Sequence, residues 1–100
     1  MEQKTEHTIN EAFLSFLKKY GFADDYLKVK VEKQAKEIWN ELVGNGLSQY
    51  TTSVVFKEGT FFVYTNSPVV KMELQMRKNE IKEKLNQKLG QNIIKKVEIR

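Results

Sequence analysis

Catalysis and metal binding need nucleophiles, acids, bases or ligands that converge, and this chain supplies few of them. Cysteine is absent and His7 is the sole histidine. Thiol nucleophiles, disulfide frameworks and Cys- or His-rich zinc sites are therefore excluded. His7 alone has an unperturbed pKa suited to proton transfer near neutrality, yet its neighbours in sequence form neither a triad nor a metal pair. Gly44-Asn45-Gly46 lacks the further glycine and the lysine of a phosphate-binding loop and reads as a helix stop. Carboxylates lie mostly beside lysines at helical spacing. No catalytic residue, metal, cofactor or small-molecule substrate is assigned, and an enzyme is the least supported class.

What the chain does offer is cations and rings. Residues 1–50 hold seven lysines against eight acids, net −1, whereas residues 51–100 hold ten Lys and Arg against five acids, net +5. Basicity thus belongs to the second half, as in a domain that meets a phosphate-bearing partner. After Ser67-Pro68, helical spacing puts Glu73 four residues before Arg77 and Glu80 four before Lys84, an orientation that stabilises a helix by roughly 0.2–0.5 kcal/mol per pair. Lys71, Lys78 and Lys82 fall on the opposite flank beside Gln75, Asn79 and Asn86, with no acid at helical spacing. Lys78 and Lys82 even repel one another at i, i+4. These three lysines, with Lys95, Lys96 and Arg100 as an adjoining patch, are the candidate nucleic-acid contacts. Phe62 and Tyr64 alternate with Phe61 and Val63 on a strand, and Met72 and Met76 lie on the outer face of the following helix. These four are the candidate partner-binding residues, the two rings being suited to bases as well as to protein.

The elements that must position these groups are legible from periodicity. Thr8 with Glu11 has the form of a capping box, and Ile9, Ala12, Phe13, Phe16, Leu17 and Tyr20 recur at helical spacing up to Gly21. Leu27 to Lys30 is ambiguous, because Leu27, Val29 and Val31 alternate as in a strand. From about Val31 a second apolar stripe runs through Ala35, Ile38, Trp39, Leu42 and Val43 to the Gly44-Asn45-Gly46 stop, with Trp39 as a core anchor. Tyr50–Lys57 and Thr60–Thr65, rich in β-branched and aromatic residues and joined by Glu58-Gly59, predict a β-hairpin. Ser67-Pro68 starts a third helix, with Val70, Leu74, Ile81 and Leu85 as its core face, ending at Gly90. Ile93–Arg100 predicts a closing strand.

The order α-α-β-β-α-β predicts an α+β fold, a three-stranded sheet with helices mainly on one face. With 100 residues, 40% hydrophobic and 30% charged, the chain suits one globular domain over residues 8–100 behind a flexible N-terminus of residues 1–7. No apolar stretch approaches the roughly 18 residues of a membrane span, and Met1 to His7 lacks a signal-peptide core, so a cytoplasmic protein without membrane contact is expected.

The series Trp39, Val43-Gly44, the hairpin with Gly59, Phe61 and Val63, Ser67-Pro68, Glu73-Leu74, Leu85-Asn86, Gly90 and Val97-Glu98-Ile99-Arg100 resembles the DciA family, over about residues 9–100. The resemblance implies a KH-like domain, a bacterial cytoplasmic setting, and a role in DNA replication as a partner and loader of the replicative DNA helicase. Two departures stand out. Val70 occupies a position where many members carry a second tryptophan, and Gly44-Asn45-Gly46-Leu47 does not supply the Gly-x-x-Gly clamp of nucleic-acid-binding KH domains. The expected function is a noncatalytic adaptor that binds the replicative helicase and contacts single- or double-stranded DNA. The alternative is a protein-interaction domain that binds no nucleic acid.

Overall fold

A computed structural model of the chain describes residues 8–100. His7 and the rest of the N-terminal segment expected to be flexible lie outside the described residues. Helix α1 (Glu11–Tyr20) starts on Asn10, whose Oδ1 accepts the Phe13 N–H at 2.9 Å. The expected cap, Thr8, is held elsewhere. The Ile9 N–H donates to Leu89 O at 2.7 Å, and Thr8 packs against Gly90. The start therefore falls to the next side chain able to cap, an asparagine.

Helix α2 (Ala23–Val43) includes the ambiguous Leu27–Lys30. Strand-like alternation was misleading there, since Val31 is wholly buried while Val29 is 67% exposed. The operative period is four: Ala23, Val31, Ala35, Trp39 and Val43 are buried along one side. The expected glycine loop instead holds a short turn of helix, α3 (Asn45–Ser48).

Strands β1 (Thr51–Lys57) and β2 (Thr60–Thr65) pair antiparallel. Their two-residue turn needs positive φ at both positions, which Glu58 (49°) and Gly59 (85°) adopt. The third helix of the sequence reading is two helices, α4 (Pro68–Met76) and α5 (Lys78–Leu89). Ser67 Oγ accepts the Val70 N–H at 3.3 Å, and Pro68 takes the first turn. The helix breaks at Arg77 (φ −105°, ψ 10°). Its guanidinium meets Glu73 at 3.4 Å and donates to Val43 O at 3.4 Å. Breaking there lets α4 pack on β2 and β3 while α5 packs on β3 and α2. Strand β3 (Lys96–Ile99) pairs parallel with β2, giving a mixed sheet in the order β1-β2-β3.

That α+β arrangement is consistent with a small KH-like domain. One sheet face, with Val54, Phe56, Phe61, Val63, Val97 and Ile99, meets Val31, Ala35, Trp39, Val43, Val70, Leu74, Ile81, Leu85 and Leu89 in a single core. Trp39 is buried with its Nε1–H donating to Thr51 Oγ1 at 2.9 Å, so the ring buries without stranding its donor. Helix α2 also shields the free edge of β1: Glu32 Oε2 accepts the Phe56 N–H at 2.8 Å and a hydrogen bond from Lys28 Nζ at 2.6 Å. Partial burial pushes the Glu32 carboxyl up. The hydrogen bonds from Lys28 and Phe56, with the charges of Lys28 and Lys36, outweigh it and hold the pKa below the ordinary value. Among the described residues no helix is long and apolar enough to cross a membrane.

Candidate binding surfaces

Three surfaces emerge once the elements are in place. The first carries the helix lysines. Because the helix breaks at Arg77, Lys71 stands on α4 while Lys78 and Lys82 are neighbours on α5, so the ridge expected on one helix spans two. Among the described residues none of the three has an ion pair, whereas Lys84 meets Glu80 at 3.2 Å and Arg77 meets Glu73 at 3.4 Å. Lys82 borders an open groove of about 620 Å³ that also takes in Glu83, Gln87 and Gln91.

Asn86, placed by sequence among the polar groups flanking these lysines, is a structural residue. Its Oδ1 accepts the Ile93 and Ile94 N–H groups at 3.0 and 2.8 Å, and its Nδ2 donates to Ile94 O at 2.9 Å and Asn92 Oδ1 at 3.0 Å. With Ile93 and Ile94 held by that side chain, the closing strand begins at Lys96 rather than at Ile93.

The second surface is the other face of the sheet. Helices bury their apolar sides against Phe61 and Val63, so Phe62 and Tyr64 point away from the core and are half-buried. Register places Val55 and Glu98 beside Phe62, Ser53 beside Tyr64, and Lys57, Thr60 and Lys96 in a neighbouring row. Arg100 lies with its Cζ 5.1 Å from the Phe62 ring centroid. Lys96 and Arg100 are not unpaired cations: both meet Glu98, at 3.1 and 2.8 Å. Their hydrogen bonds, that from Arg100 foremost, lower the Glu98 pKa, and the same contact raises that of Arg100. Lys95, assigned to the same patch, turns back to donate to Asn92 O at 2.8 Å.

The third surface is apolar and split. Val69, Met72 and Met76 form an i, i+3, i+7 stripe on α4, each more than two-thirds exposed. Phe62 and Tyr64 face away from the helices and Met72 and Met76 lie on the outside of one, so the four residues grouped by sequence belong to opposite sides of the sheet. On α1 the buried side chain is Leu14, with Leu17 partly buried, while Phe13, Phe16 and Tyr20 face solvent. Helical spacing alone did not choose between them, because two apolar stripes share the helix. The Leu14–Leu17 pair at i, i+3 marks the buried one.

Among the described residues no group of three His, Cys, Asp or Glu is placed to hold a metal ion. The three surfaces present cations, rings and thioethers. A family model described as Dna[CI] antecedent, DciA, matches residues 9–99 of the chain. No curated protein sequence and no solved structure matches it.

Proposed function

The chain belongs to the DciA family, and from that premise we propose that it is a noncatalytic adaptor that engages the replicative DNA helicase and touches DNA phosphates through Lys71, Lys78 and Lys82. Family membership supports a helicase-loader-like adaptor role in general. The observation supporting the DNA contact is a contrast in pairing along α4 and α5: Arg77 and Lys84 meet carboxylates at 3.4 and 3.2 Å, and the three lysines, among the described residues, meet none. Lys78 also lies in the first turn of α5, where the helix dipole opposes a cation by about 0.3–1 kcal/mol, and Lys82 one turn on adds repulsion. A phosphate between them offsets both costs.

The test is DNA binding by the chain with all three lysines replaced by glutamine. Each lost phosphate contact should flatten the dependence of log affinity on log salt by roughly 0.7–0.9. Unchanged affinity and slope refute the contact. A second reading, a protein-interaction domain that binds no nucleic acid, is favoured by the exposed Val69, Met72 and Met76 stripe, and lack of any salt-sensitive DNA complex would select it. Within the first reading the same stripe is the protein-facing surface.

A further inference from the structure

The sequence divided Phe62 and Tyr64 from Lys96 and Arg100, and the sheet reunites them. Pairing of Phe62 with Glu98, Thr60 with Lys96 and Thr60 with Lys57 puts these side chains on one continuous face. The Arg100 guanidinium already lies over the Phe62 ring. We propose that this sheet face, which no helix among the described residues packs against, is a binding site for single-stranded nucleic acid, in which Phe62 and Tyr64 stack bases while Lys57, Lys96 and Arg100 hold the phosphates. The inference rests on the nucleic-acid part of the proposed function and gives it a second surface, carried by the strands rather than by α4 and α5.

Charge selects a polyanion. The face carries Lys57, Lys96 and Arg100 against one acid, Glu98, and that acid is already held by two of the three cations, so the face has a positive balance of two. Rings select one whose anionic backbone carries flat groups. Phe62 and Tyr64 stand on the central strand, half-buried, on the side to which, among the described residues, no helix contributes core side chains. Stacking on such rings tolerates any base, because every base has a π-face. Arg100 shows that the Phe62 ring accepts a flat cationic group over it, and a base on that ring would lie within reach of the same guanidinium.

Spacing selects a single strand. Two positions on one face of a strand are separated by roughly 6.8 Å, about twice the 3.4 Å per-strand rise of B-DNA. Successive bases reach both rings only when unstacked from one another, and a duplex keeps its bases paired and inaccessible to a flat sheet. Ser53 and Thr60, in the same rows, add hydroxyl groups beside the rings.

The experiment titrates the full chain into a short fluorescent oligothymidylate and into a duplex of equal length at two salt concentrations. Phe62→Leu and Tyr64→Leu each remove a ring while keeping an apolar side chain, with retention of fold checked by circular dichroism and melting. Each should weaken oligothymidylate binding about fivefold or more and leave the salt slope intact. Lys57→Gln should lower the slope by roughly 0.7. Wild-type affinity in both ring variants, or preference for the duplex, overturns the site. Loss in the ring variants with none in the Lys71, Lys78 and Lys82 variant leaves this face standing and removes the helix-lysine contact, and the reverse result does the opposite. Should a leucine variant fail to fold, the wild-type protein decides by NMR: oligothymidylate must shift the Phe62, Tyr64 and Val55 resonances more than those of α5, and equal or smaller shifts there overturn the proposal.

Discussion

Replacing Asn86 by alanine tests how the chain fixes the position of β3, the strand that carries Lys96 and leads to Arg100. Asn86 makes four hydrogen bonds, at 2.8–3.0 Å, to the segment before that strand. Not all four count equally. Asn92 is exposed, and the Ile93 N–H has a second acceptor in Gln91 O at 2.9 Å. The Ile94 N–H and C=O, on a residue that is wholly buried, depend on Asn86. Each buried group left unmet costs about 1–3 kcal/mol, so the pair costs about 2–6. Alanine regains about 0.5 kcal/mol of helix propensity. The net expectation is a loss of about 1.5–5.5 kcal/mol, large beside a domain stability of about 5–15 kcal/mol. Urea denaturation should show it as a fall in midpoint at unchanged slope. Asn86→Asp, which keeps the acceptor for Ile94 N–H and gives up the donor, should lose less. A loss below about 0.5 kcal/mol for alanine, the range of an ordinary surface substitution, would refute the clamp.

Gly90 ends α5 at φ 82°, and a Cβ there would lie 2.8 Å from Thr8 Cβ. Gly90→Ala should cost about 1–2 kcal/mol from the backbone alone, with the contact adding more, and lower Tm by at least about 4 °C. Because the folded-state pKa of Glu32 is depressed, its contribution to stability is complete above the unfolded carboxylate value of about 4.3 and is lost as pH falls through the folded pKa. Glu32→Gln should therefore be less stable than the parent at pH 7, and the gap should narrow below about pH 4 in thermal melts. A constant gap would contradict it.

Much of the fold was legible because local chemistry and packing agree at the places that matter. Ser67-Pro68 starts a helix, Glu58-Gly59 turns a hairpin, and Val70, Leu74, Ile81 and Leu85 keep helical spacing across the break. The break itself was not legible: no glycine or proline marks Arg77, whose side chain reaches across to Val43 O. The break also distributes the three lysines over α4 and α5, which an angular plot on one straight axis does not anticipate. On α1 two apolar stripes compete, and the side chain buried is Leu14 rather than Phe13, Phe16 or Tyr20. The outer sheet face needed the register of β3, and its parallel pairing to β2 cannot be read from a four-residue strand. Several residues that carry the family resemblance, Trp39, Ser67, Asn86 and Gly90 among them, serve as anchor, caps and clamp. They therefore speak to the fold more directly than to the partner-facing surface.

Association with the replicative helicase is the most direct test of the adaptor role. The purified chain and the replicative helicase of the same organism should form a complex by analytical ultracentrifugation, and adding the chain should increase the helicase retained on single-stranded DNA. Separate sedimentation of the two proteins at low salt, with helicase retention unchanged, would contradict it.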